Sequence, residues 1–267
     1  MKRMHKDRIL VLAVLALVAG YISIVLARTA EAGTPQKAVL VELFTSEGCS
    51  SCPPADELLG RLRQNLSSKN IEVIPLGFHV DYWNSLGWKD RFSSAEFSHR
   101  QEEYAHSLGV DGPYTPQMVV DGTSQFVGSD SGQAQHAISQ AASRQPLSAV
   151  KVSAAGPDQL EIHVKAPTAA NSSKVMLAIT EDNLATQVGS GENGGRTLRH
   201  AAVVRELRQL GRLHEGGFEA TAPLKLDKEW KRQDLRAVVF VQEEPSGKIE
   251  GAASLALGSV ALAGQLR

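Results

Sequence analysis

Apolar residues recur along this chain in two rhythms, and the change from one to the other falls near residue 146. Ala38-Val39-Leu40-Val41-Glu42-Leu43-Phe44 is almost continuously apolar, as expected of a strand buried on both faces of a parallel or mixed sheet. Gly48 interrupts the run. From Pro53 onward Ala55, Leu58, Leu59, Leu62 and Leu66 recur at helical spacing. Pro53-Pro54 suits the first turn of that helix, and Asp56 and Glu57 oppose its positive end. Ile71 to Val80 is strand-like again, so a right-handed βαβ unit is predicted, with Pro75 bending its second strand. Ser93 and Glu96 form a capping-box pattern ahead of an inserted helix with Phe97, Tyr104 and Leu108 on one face and Gly109 as its stop. Met118-Val119-Val120 and Gln125-Phe126-Val127 flank Asp121-Gly122-Thr123-Ser124, a hairpin signal. A closing helix from about Ser131 to Arg144 turns Ala134, Ile138, Ala141 and Ala142 inward, and Pro146 ends it.

Beyond Pro146 the period drops to two. Leu160-Ile162-Val164 and Phe218-Ala220-Ala222-Leu224-Leu226 alternate, with further strand candidates at 175–180, 237–242 and 249–257. Five or more such strands predict a small antiparallel sandwich. Val203 to Leu210 is the one stretch here with a helical pattern, and Asn193-Gly194-Gly195 marks the longest flexible loop. The expected fold is therefore α/β: a mixed sheet with flanking helices and a helical insertion over 36–146, then a β-rich, sandwich-like domain over 147–267.

The N-terminus changes where that fold is expected to work. Basic residues among Met1 to Arg8 precede Ile9 to Ala27, which carries no charge, and Ala30-Glu31-Ala32 offers an A-x-A cleavage site. Residues 1–32 thus form either a signal peptide or an N-terminal anchor, since 19 uncharged residues also suffice to cross a hydrocarbon core of about 30 Å. Either fate puts the body in the periplasm or outside the cell, where disulfides persist or exchange. The net charge is −1 overall; past residue 32 there are 23 basic and 27 acidic residues, or −4, which argues against nucleic acid as a partner.

Only two cysteines are present, three positions apart, which excludes a disulfide framework and a multi-cysteine zinc scaffold. Cys49-Ser50-Ser51-Cys52 follows a strand and opens a helix, where free backbone N–H groups and the helix dipole favour a thiolate. Cys49, nearer the turn, is the expected nucleophile and Cys52 the resolving thiol. Glu47 is an accessory candidate, opposing the thiolate by charge or carrying a proton to the second thiol. A stapling disulfide is the competing reading, yet a loop with two intervening residues gains little from closure. A metal site using both thiolates and His79, for Cu(I) or zinc, is the other; no resident metal or cofactor is otherwise expected. His79, Asp81, Tyr82, Trp83 and Trp88 follow the second strand, where strand ends in open α/β sheets line a crevice. They form either a substrate groove or packing for the inserted helix. His99 and His106, seven apart on that helix, read as surface residues.

This order of elements resembles the thioredoxin superfamily: strand, C-x-x-C at a helix start, parallel strand, then Thr115-Pro116 before a hairpin and a closing helix. The resemblance implies that Thr115-Pro116 stands beside the dithiol as a cis-proline and presents an extended substrate segment. More closely, Leu43 to Pro54, His79-Val80-Asp81-Tyr82-Trp83-Asn84, Gly87-Trp88 and Tyr114-Thr115-Pro116-Gln117 resemble a bacterial secreted group, domain-of-unknown-function family 1223. No tryptophan precedes Cys49 and no proline separates the cysteines, so a redox potential does not carry over. The function expected is exported thiol–disulfide exchange with protein thiols or disulfides of the envelope and a redox partner. A Cu(I) or zinc carrier and an envelope scaffold are the alternatives.

Overall fold

The computed structural model describes residues 37–65, 71–166, 173–215 and 217–258. The N-terminal segment, with its two predicted fates, lies outside them. Among the described residues no helix is long and apolar enough to cross a membrane.

The first half forms as its pattern predicts. Strand β1 (Lys37–Thr45) leads into helix α1 (Pro53–Asn65), which returns to β2 (Ile71–His79), parallel to β1 from Lys37↔Ile71 to Thr45↔His79. Pro75 leaves β2 continuous. Gly77 N–H points away from β1, to the Ala202 carbonyl, and Pro75, two residues earlier, faces the same way. Its missing N–H therefore falls on the side where the next strand bridges β2 only at Gly77, and no ladder bond to β1 is lost. Strands β3 (Gln117–Val120) and β4 (Ser124–Val127) form the hairpin on the other side of β1. Asp121 and Gly122 at its turn both adopt positive φ, 46° and 63°, which Asp tolerates and Gly favours. Helix α2 (Ala95–Ser107) is capped by Ser94, whose hydroxyl accepts the Glu96 N–H, one residue later than the capping-box pattern places it. Helix α3 (Ser131–Ser143) is capped by Asp130.

The second half adds β5 (Ala149–Gly156), β6 (Gln159–Lys165), β7 (Ser173–Glu181), β8 (Leu184–Gln187) and β9 (Thr197–His200). It continues with β10 (Val203–Arg212), β11 (Phe218–Pro223), β12 (Leu235–Glu243) and β13 (Ile249–Ala256). The helix expected over 203–210 is strand β10. Its helix-like spacing arises because register shifts at Val204/Glu206 and Gln209/Gly211 break the two-residue alternation twice within ten residues.

The β-rich half does not build both its layers from its own strands alone. One eight-stranded sheet runs β13-β12-β7-β10-β2-β1-β3-β4, straight across the expected joint at 146–147. A three-stranded sheet, β11-β6-β5, packs Leu160, Ile162, Val164 and Ala222 against Val175, Leu177, Ile179, Ala237 and Val239 of the large sheet. Alternation along β1 separates two further cores. Val39, Val41 and Leu43 pack with α1 and α3, while Leu40 and Phe44 pack with Phe97 and Tyr104 of α2 and with Val238 and Phe240 of β12. Helix α2 therefore lies over strands from both halves. Its buried Arg100 donates to Glu42 on β1 and to Gln242 on β12, tying the halves by charge as well as by packing. The described residues from Lys37 onward form one compact unit.

Candidate functional site

Where β1 ends, the chain turns through Ser46 to Ser51 before α1 begins. Gly48 N–H donates to Ser46 Oγ and Cys49 N–H to the Ser46 carbonyl, tightening the turn. The Cys52 carbonyl accepts the N–H groups of Ala55 and Asp56, so Cys52 opens the helix. Cys49 and Cys52 are joined by a disulfide, with 5.5 Å between their Cα atoms. Ser51 Oγ is 3.3 Å from Cys49 Sγ.

Exposure departs from the sequence reading. Ser50 and Ser51 face solvent, but both cysteines are 0% exposed. A loop from the other half of the chain, residues 188–196 between β8 and β9, is hydrogen-bonded to the backbone of this turn. Buried Asn193 donates through Nδ2 to the carbonyls of Glu47 and Cys49, both at 2.9 Å, and Glu192 Oε2 accepts the Ser50 N–H at 3.0 Å. Arg196 Nη1 in turn holds Asn193 Oδ1 at 2.6 Å, and Ser190 Oγ donates to the Gly87 carbonyl at 2.5 Å. The hydrogen bond from Ser50 holds the Glu192 carboxyl below the ordinary range.

Behind the disulfide lies a sealed group of ionisable side chains. Glu47, Asp56, His79, Asp90 and His200 are all buried. His79 Nδ1 is 2.6 Å from Asp90 Oδ2, and that carboxylate also accepts the backbone N–H of Glu47, while its other oxygen accepts that of Phe92. Asp56 Oδ2 accepts the Thr45 hydroxyl at 3.0 Å. His200 lies between two carboxylates, with Nε2 3.3 Å from Glu47 Oε1 and Nδ1 3.9 Å from Asp56 Oδ1. Burial alone would depress His200, yet Asp56 and Glu47 push it up to about 9. Burial and Asp90 press the Glu47 carboxyl upward, but His200, Thr186 and Trp88 outweigh them and hold it low. Burial likewise opposes ionisation of Asp90, and His79 with the two backbone N–H groups overcomes it.

The structure gathers most of the residues read from the sequence and reassigns some. Glu47 faces His200 and Trp88, whose Nε1 donates to Glu47 Oε2 at 2.8 Å. His79 is in the sealed group rather than in an open crevice. Trp88 also packs over Gly189 and Gly191, where an added Cβ would come within 3.2 Å of its side chain. Trp83 sits beside Gly48 and donates from Nε1 to Thr115 Oγ1 at 2.8 Å, linking the disulfide turn to the Thr115-Pro116 bond, which is cis. Pro116 lies against Gly128, whose hypothetical Cβ would also meet Ala55 in the first turn of α1. Asp81 turns toward α2 instead, accepting the Ser98 hydroxyl at 2.5 Å, and Tyr82 donates to Gln101. His99, paired with Glu103, is exposed. Sequence spacing does not mark Asp90, Glu192, Asn193 and His200 as site residues: Glu192, Asn193 and His200 meet the Cys49 turn and α1 from more than 140 residues away, and Asp90 meets Glu47 from 43 residues away.

The family model described as "Protein of unknown function (DUF1223)" matches residues 40–242. The crystal structure of an Agrobacterium tumefaciens protein is similar at 30% identity, with a TM-score of 0.67, covering 82% of this chain and 94% of its own. A domain of the outer membrane lipoprotein Omp28 from Porphyromonas gingivalis is similar at 10% identity and a TM-score of 0.23, covering 42% of this chain and 88% of its own. No curated protein matches.

Proposed function

We propose that this chain, which belongs to the DUF1223 family, is an exported thiol–disulfide exchange protein acting on protein thiols of the periplasm or the extracellular medium. The observation that carries this reading is the Cys49–Cys52 disulfide closed across the opening turn of α1, directly after a buried strand. The strand order β2-β1-β3-β4, with α1 and α3 packed on one face, supports a thioredoxin-like first half. A stabilising staple explains the bond poorly, because its loop is so short. The helix N-terminus, by contrast, favours the thiolate of a reduced pair.

Starting from the disulfide, a substrate thiolate attacks Cys49 Sγ, the Cys49–Cys52 bond breaks, and Cys52 Sγ leaves with the electron pair and takes up a proton. A second substrate thiol, losing its proton, then attacks the substrate sulfur of the mixed disulfide and releases Cys49. Two electrons pass to the protein; the substrate gains one disulfide. Thr115 and Pro116 are the proposed positioning residues for the substrate backbone, with Trp83 fixing Thr115 and Glu47 an accessory group. Because both cysteines are buried, exchange needs the turn to open, and the proposed opening is release of the 188–196 loop hydrogen-bonded to its backbone.

A Cys52→Ala variant expressed with its own leader should accumulate mixed disulfides through Cys49, and Cys49→Ala should not. Equal adducts in both variants, together with no exchange between the native pair and any thiol couple, would overturn the reading. The reduction potential then gives direction: near about −120 mV the protein is an oxidant, near about −270 mV a reductant.

A further inference from the structure

The sealed group behind the disulfide holds more ligand atoms than its own hydrogen bonds use. Among the described residues His79 Nε2 is buried with no hydrogen-bond partner, while both ring nitrogens of His200 and Glu47 Oε1 make no hydrogen bond and are held only by the longer ion pairs of His200 with Glu47 and Asp56. A buried polar group left without a partner costs about 1–3 kcal/mol, so His79 Nε2 calls for one. Ligand atoms of Asp56, His79 and His200 lie within 4.8 Å of one another. Three carboxylates, Glu47, Asp56 and Asp90, share this interior with two imidazoles, and their ion pairs are with those rings.

We propose that Asp56, His79 and His200 bind a divalent transition-metal cation, with zinc as the best fit, at a site that uses neither cysteine. Imidazole and carboxylate are ordinary zinc ligands. Tetrahedral bonds of about 2.1 Å require ligand atoms roughly 3.4 Å apart, against separations of up to 4.8 Å here, so binding draws the three side chains together. His79 has one ring nitrogen to offer. Its Nδ1 is held by Asp90, which fixes the ring and leaves Nε2 to bind, the carboxylate–histidine pairing that orients metal-bound imidazoles. Whichever nitrogen of His200 binds, the other faces a carboxylate, Glu47 or Asp56. The Thr45 hydroxyl on Asp56 Oδ2 leaves Oδ1, the oxygen toward His200, for the metal. A divalent ion there offsets the charge of the buried carboxylates of Glu47, Asp56 and Asp90. Glu47 supplies a fourth ligand if its carboxylate turns inward.

The test uses the protein with its disulfide intact, verified by thiol counting, so that thiolates contribute nothing. Zinc titrated against a chromophoric chelator should bind at one per chain with submicromolar affinity. His200→Gln and Asp56→Asn should weaken it at least 100-fold, and Asp90→Asn, acting through His79, by 10- to 100-fold. His99→Gln, on an exposed face, should change nothing. X-ray absorption of the zinc-loaded wild type keeps the test independent of whether the variants fold: two imidazoles and oxygen, no sulfur, are expected. No binding by the oxidised wild type, or a zinc shell without two imidazoles, overturns the proposal and leaves His200 as a buried imidazolium paired with Glu47 and Asp56. None of these results depends on whether the disulfide exchanges.

Discussion

Replacing Asn193 with alanine should speed reduction of the Cys49–Cys52 disulfide by about 30-fold. In the closed state Asn193 Nδ2 serves two buried carbonyls, those of Glu47 and Cys49, each at 2.9 Å. When the loop lifts, water takes over both acceptors and the amide alike, so each bond favours closure by only its net worth of about 1 kcal/mol. Losing two lowers the cost of lifting by about 2 kcal/mol, which is about 30-fold in the open population at 1.4 kcal/mol per decade. If opening precedes attack on the sulfur, the rate follows that population. The assay is reduction by a small dithiol such as dithiothreitol, quenched with a maleimide and read by mass. Thermal unfolding run alongside separates local lifting from global loss of structure. A folded Asn193→Ala protein reduced at the wild-type rate would refute the reasoning, because the sulfurs would then be reachable without the loop moving.

Three further outcomes follow from other contacts. Burial raises the Asp121 carboxyl to about 6 from 3.8, so the folded state holds a proton there that the unfolded chain has lost. This group therefore makes stability fall as pH rises from about 4 through 6; Asp121→Asn, which keeps an acceptor for Leu40 N–H, should flatten that fall and gain on the order of 1–2 kcal/mol at pH 7.5 in urea melts. Arg100→Met strands the buried Glu42 carboxylate and should cost about 3–5 kcal/mol, much of it recovered in a double variant with Glu42→Gln; additive losses in urea melts would contradict this. Gly128→Ala drives a methyl to 2.6 Å from Leu43 Cδ1 and 3.2 Å from Ala55 and Pro116, so the melting temperature should drop by the equivalent of about 1–3 kcal/mol, and an unchanged value would mean the hairpin shifts freely.

Much of the first half was legible because its signals are local. Continuous apolar runs, the Pro53-Pro54 helix start and the Asp121-Gly122 turn depend on neighbouring residues, and they define β1, α1 and the β3–β4 hairpin. Strand β10 was misread because two bulges imitate a helical period over Val203, Val204, Leu207 and Leu210. How the halves join was not legible, since a single bridge, Val203↔Gly77, carries β10 onto β2, and one bridge leaves no pattern in a sequence. The site divides the same way. Cys49, Cys52 and Glu47 are marked by spacing, whereas His200 and Asn193 reach it across nearly 150 residues through the β8–β9 hairpin.

The sheet that ignores the midpoint of the chain bears on how the protein can be cut. A fragment stopped at residue 146 would bare the flank of β2 and strip Leu40, Ile74, Phe78 and Phe97 of the β7 and β12 side chains that now cover them. Open flanks beside apolar surface are templates for self-association. The cysteine-bearing half is thus not a detachable cartridge, and its chemistry is inherited only together with the strands that follow it.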